Sequence, residues 1–276
     1  MKIKHRAFLK WAGGKYKLSD TINKILPDGK RLLEPFVGAG SVFLNTDYDE
    51  YILNDINADL INLYKIVQQT PVKFIDDAFK LFNPVNNDPD VYYHLRKEFN
   101  NTKDKYYRSL LFLYMNRHGY NGLCRYNKSG GYNVPFGKYK KPYFPREELE
   151  YFSEKSAKAT FLCQGYRSII DNAKHHDVIY CDPPYVPLSA TANFTSYSGN
   201  GFGLDEQADL ANAAEEIIKK VSTSVLISNH DTIWTRKIYE HASTIKSVKV
   251  ARTISQKGTG RKKAAELLAL YDLPRS

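Results

Sequence analysis

Asp182-Pro183-Pro184-Tyr185 closes the apolar run Val178-Ile179-Tyr180-Cys181 and combines a carboxylate, two rigid prolines and an aromatic ring. Proline fixes φ and carries no N–H, so such a turn is stiff and presents carbonyl acceptors. This set of groups suits the grip of a planar exocyclic amine. An amino group on an aromatic base has its lone pair delocalised into the ring and is a poor nucleophile. Two acceptors, the Asp182 carboxylate and the Pro183 carbonyl, can take its two N–H groups and favour a geometry in which the lone pair is free to attack, while the Tyr185 ring stacks on the base. The competing reading is plain punctuation, because Asp-Pro and Pro-Pro commonly end strands.

A second motif favours the chemical reading. Leu32-Leu33-Glu34-Pro35-Phe36-Val37 feeds the turn Gly38-Ala39-Gly40-Ser41 and then the helical-looking Ser41-Val42-Phe43-Leu44. Glycines permit a tight strand-to-helix turn and close approach of a ligand to the backbone. A second candidate strand, Tyr51-Ile52-Leu53-Asn54, ends in Asp55, and an acid about 20 positions after such a turn is placed to bind ribose hydroxyls. There is no third glycine of a dinucleotide fingerprint and no G-K-[ST] of a P-loop. The expected ligand is therefore a nucleoside without phosphates.

The elements that must position these groups read as an α/β fold. Strands near 31–36, 50–54, 159–163, 177–181 and 223–228 alternate with helical patterns such as 206–220, which predicts a mostly parallel sheet covered by helices. Residues 245–254 and 264–270 bracket Gly258-Thr259-Gly260 and read as a terminal hairpin. Between about 56 and 144 strand alternation stops. Helical stretches such as 106–118, whose stripe Leu110, Leu111, Leu113 and Tyr114 reads as core, lead into the Gly- and Asn-rich 119–140, expected to form a β-hairpin loop. The expected division is one domain from 1–55 and 145–276 with a helical insertion over 56–144. Residues 187–203, rich in Ser, Thr, Asn and Gly, follow the Asp-Pro-Pro-Tyr turn and read as a lid.

Composition narrows the class. The chain has 276 residues, 42% apolar and 25% charged, enough to bury a core and too few charges for a disordered tract. No stretch approaches the ~18 apolar residues of a membrane span and no apolar signal region follows the N-terminus, so a soluble, unexported protein is expected. Cys124, Cys163 and Cys181 show no C-x-x-C spacing and the seven histidines no H-E-x-x-H, so no disulfide framework and no metal are expected. The net charge of +10 is segregated. Residues 1–19 hold six Lys/Arg and no acid, 96–146 twelve against two acids, and 246–263 seven and none. Three basic runs interleaved with Tyr, Asn and Gly suggest a polyanion footprint, DNA or RNA.

Phe8-Leu9-Lys10-Trp11-Ala12-Gly13-Gly14-Lys15, Phe36-Val37-Gly38-Ala39-Gly40-Ser41 and Asp182-Pro183-Pro184-Tyr185 together resemble the Dam family of DNA adenine-N6 methyltransferases, which use S-adenosyl-L-methionine and act at GATC. The similarity runs nearly end to end, through Asn116-Arg117-His118-Gly119-Tyr120-Asn121-Gly122-Leu123-Cys124-Arg125-Tyr126-Asn127 and Ser228-Asn229-His230-Asp231-Thr232. It implies a Rossmann-like methyltransferase sheet, a target-recognition role for the insertion, double-stranded DNA as substrate and S-adenosyl-L-homocysteine as product. It implies Trp11 packed against the cofactor, Lys15 near its carboxylate, Phe36, Gly38 and Gly40 in the pocket floor, Asp55 on the ribose and Asp182 between cofactor and base. Asp182, Pro183 and Tyr185 form the expected catalytic set, acting by direct in-line displacement at the sulfonium methyl without a covalent enzyme intermediate. The expected enzyme is a cytoplasmic, nucleoid-associated monomer with no obligate protein partner.

Reaction at a base amine within a duplex requires the nucleotide to be flipped out, at a cost of a few kcal/mol. Tyr120, in a Gly-Tyr-Asn-Gly turn, can intercalate and hold the gap, and the resemblance implies the same role. Arginine binds guanine O6 and N7 bidentately while small apolar groups touch the thymine methyl; Arg125 suits the first task, Leu123 and Pro135 the second. Lys10 matches the family position that contacts the outer guanine. Arg96, Arg117, Asn121, Asn127, Asn133 and Lys140 are candidate phosphate contacts, which position without specifying; solvated surface is the alternative for each. Two other functions remain in play: a methyltransferase for another sequence or for RNA, against which the match over 119–127 speaks, and an idle DNA-binding protein, against which the intact Asp-Pro-Pro-Tyr speaks.

Overall fold

The structure, a computed structural model, describes residues 3–185, 202–250 and 264–273. In chain order the elements are α1 (Ser19–Asn23), β1 (Arg31–Glu34), β2 (Glu50–Asn54), α2 (Ala58–Gln69), α3 (Pro71–Lys80), α4 (Pro89–Asn101) and α5 (Lys105–His118). They continue with α6 (Arg146–Ser156), β3 (Ala159–Leu162), α7 (Tyr166–Asp171), β4 (Asp177–Cys181), α8 (Leu204–Val221), β5 (Ser224–His230), α9 (Ile233–Ile238), β6 (Thr244–Val250) and β7 (Ala264–Tyr271).

The strands make a seven-stranded sheet in the order β3-β2-β1-β4-β5-β7-β6. Strand β1 pairs in parallel with β2 and β4, and β4 in parallel with β5, whereas β7 runs antiparallel to both β5 and β6. This is the mostly parallel α/β sheet with a reversed C-terminal pair that the sequence predicts. Burial explains the order. All five residues of β4 are buried, as befits a strand covered on both faces. Leu267, Leu268 and Ala269 of β7 are buried too, while β6 carries exposed Lys246 and Lys249; lysine on the outer strand discourages further pairing there. Arg31 Nε and Nη2 donate to the two Asp177 oxygens at 2.8 and 2.7 Å and clamp the start of β1 to that of β4. That partnership raises the Arg31 pKa.

Two compact units result, one of Met1–Tyr16, Val37–Thr46 and Asp55–Cys163, the other of Lys17–Phe36, Asp47–Asn54 and Gln164–Ser276. Their cuts fall at other positions than 55/56 and 144/145. In the first unit, Asn57, Asp88 and Asp104 cap α2, α4 and α5 by accepting bonds from the first-turn N–H groups, which satisfies donors a helix start leaves open. Helix α5 is buried from Ser109 through His118. The apolar stripe expected to be core is core, and the polar residues beside it are buried as well.

Two expectations of local structure need correction. Residues 119–140 form no β-hairpin; two isolated antiparallel bridges, Gly119 with Phe136 and Tyr126 with Tyr132, close a loop interrupted by glycines and Pro135. The helix expected after Gly40 is a single 3₁₀ turn over Phe43–Asn45. The expected lid falls, except for Phe202 and Gly203, outside the described residues, as does the hairpin turn at Gly258-Thr259-Gly260. Among the described residues no helix is long and apolar enough to cross a membrane. No group of three His, Cys, Asp or Glu among them is placed to hold a metal ion.

Candidate active site

In the second unit, Asp182 follows the buried end of β4, and its turn is held from three sides. The Ser228 hydroxyl, on β5, donates to Asp182 Oδ1 at 2.9 Å. Ser228 is fully buried and its oxygen lies 3.0 Å from the Tyr180 hydroxyl; because a carboxylate only accepts, Ser228 spends its proton on Asp182 and Tyr180 donates to Ser228. Gln207 of α8 donates to the Pro184 carbonyl at 2.6 Å, and Asn229 in turn donates to Gln207 Oε1 at 2.8 Å. The Tyr185 hydroxyl donates to Glu266 Oε2 of β7 at 3.0 Å, and the His230 ring meets the Tyr185 ring edge-on at 4.7 Å. Burial, then the Asp182 and Glu266 charges, push the Tyr185 phenol well above its ordinary pKa, so it stays a neutral donor. Glu266 pairs with His230 across the β5–β7 ladder. Phe36 stacks on Tyr166 at 5.3 Å and meets the edge of Phe202 at 5.4 Å.

The first unit carries the glycine turn and the acid after β2. Gly38 has φ +47° and a Cβ there would lie 2.9 Å from Trp11 Nε1, so the indole rests against bare backbone that a side chain would displace. Asp55 Oδ2 accepts from Gly38 N at 3.1 Å and Oδ1 from Asn57 N at 2.9 Å. Tyr64 OH donates to Gly38 O at 2.5 Å. Trp11, Gly38 and Asp55 are thus brought together. Burial raises the Asp55 pKa, and the backbone N–H groups of Asn57, Gly38 and Ile56 oppose that rise. Gly40 N closes the turn onto Val37 O at 2.8 Å. Lys15 is buried and its ammonium donates to Gly13 O at 2.7 Å.

The same unit holds the residues read as DNA contacts. Tyr120 is 50% exposed on a one-turn 3₁₀ segment whose next residue, Asn121, is exposed in the left-handed region at φ +54°. Tyr120 N donates to Pro135 O at 2.8 Å, bringing the Tyr120 turn beside exposed Pro135. Leu123 is half-buried and its carbonyl accepts from Tyr132 OH at 2.9 Å. Arg125 is exposed and braced: Nε donates to Asn133 Oδ1 at 2.7 Å and Nη2 to Asn133 O at 3.1 Å. Lys140 is exposed. The Lys10 ammonium lies 3.9 Å from the Tyr139 ring centroid, a cation–π arrangement. Burial and then the Arg117 charge lower its pKa.

One of the expected phosphate contacts, Arg117, is placed otherwise, while Asn127, Asn133 and Arg96 also bond within the protein. Arg117 is only 6% exposed, bonded to the Phe8 carbonyl and set over the Tyr143 ring at 5.4 Å. Burial pulls its pKa down to about 10. It is a core cation and not a surface contact, because α5 is buried on all sides there. Asn127 Oδ1 accepts from Ser129 N, Ser129 Oγ and Gly131 N at 3.1, 2.8 and 2.8 Å, so it shapes its own loop. Asn133 serves Arg125. Arg96 Nη1 donates to Val134 O at 3.0 Å and its guanidinium lies over Tyr93 at 4.7 Å.

Sequence reasoning missed Ser228, Gln207 and Glu266 as supporting residues. Ser228 stands inside a stretch that carries the resemblance, which is the available signal. Nothing local marks Gln207 or Glu266.

The model of the D12 class of N6 adenine-specific DNA methyltransferases matches residues 11–254. Proteins described as DNA adenine methylase are similar along nearly the whole chain. That of Vibrio cholerae O395 is 59% identical over 268 residues, 97% of this chain and 96% of its own. That of Serratia marcescens is 59% identical over 97% of this chain and 99% of its own, and that of Escherichia coli K12 57% identical over 97% and 96%.

Proposed function

Because the chain belongs to the D12 class of N6 adenine-specific DNA methyltransferases, we propose that it methylates the adenine of GATC in duplex DNA, with S-adenosyl-L-methionine as donor, on a base flipped out of the helix. The enzyme is an adenine-specific DNA methyltransferase and needs a methyl donor. The observation that carries the finer reading is the anchored Asp182, its carboxylate fixed by buried Ser228 at the mouth of β4.

The first unit's residues suit the donor. Trp11 against the bare backbone of Gly38 offers a flat apolar wall. Asp55 uses one lone pair on each oxygen for Gly38 and Asn57, and a carboxylate has capacity for ribose hydroxyls beyond these. Lys15, buried with its ammonium on the Gly13 carbonyl, supplies a positive charge that suits a methionine carboxylate. Gly38 and Gly40 would line the floor. When bound, the donor supplies an electrophilic methyl on a sulfonium.

The chain's own part is to hold and orient the amine. Asp182 and the Pro183 carbonyl accept its two N–H groups, loosening the conjugation that otherwise occupies the lone pair. Tyr185, restrained by Glu266 and His230, stacks on the base. With the donor bound, the nitrogen so held would form its bond to the methyl as the carbon–sulfur bond breaks and leaves a neutral thioether, and the methylated amine would release its extra proton to water. Tyr120 fills the vacated stack, Arg125 braced by Asn133 reads guanine, Lys10 the outer guanine, and Leu123 and Pro135 the thymine methyl. Asn121 and Lys140, both exposed, contact phosphates; the 56–144 segment is thus the target-recognition domain. We propose that it acts as a monomer on cytoplasmic, nucleoid DNA.

The test is transfer of tritiated methyl from S-adenosyl-L-methionine to duplexes containing GATC or one altered base. Strong preference for GATC is expected. Equal transfer to altered sites would remove the specificity, and transfer only to single strands would remove the flipping step.

A further inference from the structure

The side chain of Asn116 joins two segments far apart in sequence. It is 1% exposed, on the buried part of α5. Its Oδ1 accepts from Lys10 N at 2.8 Å, and its Nδ2 donates to Lys10 O at 2.7 Å and to Gly122 O at 3.2 Å. One amide thus engages both polar groups of the Lys10 backbone, as a neighbouring β-strand residue would, and fixes its φ and ψ. The third bond reaches the end of the Tyr120 turn.

Packing ties the same two segments a second time. Gly122 has φ +63°, and a Cβ built on it would fall 2.2 Å from Lys10 Cβ and 2.5 Å from Lys10 Cδ. The aliphatic stem of Lys10 therefore lies directly on Gly122, with the ammonium over Tyr139. Lys10 and the Tyr120 turn cannot move independently while Asn116 is in place.

We propose that Asn116 is a positioning residue for specificity: by clamping Lys10 to the carbonyl of Gly122, it sets the outer-base contact relative to the intercalating turn. This rests on the reading above, in which Lys10 touches a base and Tyr120 fills the gap. A buried amide that merely satisfies core carbonyls would contribute to folding and leave discrimination alone.

The experiment is a double-mutant cycle on the full chain, reading the ratio of kcat/KM for GATC to that for duplexes with the outer guanine replaced. Asn116→Ala is expected to reduce this ratio about tenfold or more, within the span of one lost base contact. Lys10→Ala should reduce it comparably, and Asn116→Ala on the Lys10→Ala background should add nothing, because the group it positions is gone. A wild-type ratio in Asn116→Ala, or independent losses that multiply in the double variant, would overturn the proposal. If Asn116→Ala does not fold, Asn116→Ser, which keeps one hydrogen-bonding group of smaller size, enters the same cycle with the same expectation. A wild-type enzyme that shows no preference at the outer guanine would instead remove the underlying reading, before any variant is compared.

Discussion

Ser228 Oγ donates to Asp182 Oδ1 at 2.9 Å, across the parallel ladder that pairs β4 with β5. The serine takes its own bond from Tyr180, so a buried relay ends on the carboxylate proposed to hold the amine. A hydrogen bond to a charged group contributes about 1.5–3 kcal/mol. Ser228→Ala is expected to lower kcat roughly tenfold or more while DNA affinity stays near wild type, and Asp182→Ala to abolish transfer with DNA binding retained. Rapid-quench turnover and a gel-shift titration check both; normal turnover in Asp182→Ala would refute its assignment.

Arg125→Ala should relax specificity more than affinity, since a bidentate guanine contact discriminates by about 1–3 kcal/mol. Asn133→Ala should show the same relaxation in weaker form, because Asn133 holds the guanidinium at two points. Lys140→Ala should weaken binding to all sequences alike and flatten the salt dependence. Turnover on singly altered sites separates these effects, and an unaltered preference in Arg125→Ala would take that residue out of the readout.

Tyr120→Ala should impair extrusion of the base more than chemistry. Base–aromatic stacking contributes roughly 1–3 kcal/mol, and a mismatched adenine, already short of pairing, should partly rescue the variant. Single-turnover methylation with a fluorescent base analogue at the target measures this on matched and mismatched duplexes. Equal defects on both would leave Tyr120 an ordinary loop residue.

Burial pushes the His118 pKa down to about 4, with Lys10 adding to the depression and a bond to the Tyr114 carbonyl opposing it. The unfolded chain binds a proton near pH ~6.5, the native state only near 4. Stability contributed by the neutral ring is therefore complete above about pH 6.5 and is lost as pH falls towards 4, by up to about 3 kcal/mol. Denaturant midpoints measured across this window should fall less steeply in His118→Gln. Parallel profiles for the two proteins would refute the assignment.

Much of this architecture is legible in sequence because its signals are local. Val178-Ile179-Tyr180-Cys181 reads as a doubly covered strand and is one, and the turn that follows announces its carboxylate. The contacts that hold that turn are not local. Glu266 stands 81 positions beyond Tyr185, and only the placement of β7 next to β5 brings them together. Arg117 departs from its expected place at the surface for the opposite reason. Polar residues in a basic, Asn-rich stretch default to surface, but α5 is enclosed on every side and the loop after it is stitched by its own side chains.

Strand β7 follows β6 in the chain yet lies between β6 and β5. During synthesis β6 therefore leaves the ribosome without a place to dock, and the edge of β5 that carries Ser228 and His230 waits unpaired until residues 264–271 arrive. Those late residues also bring Glu266 to Tyr185. A nascent chain thus lacks the outer wall of its proposed catalytic turn until translation has nearly passed through this strand, which delays methylating competence until the polypeptide can close around it.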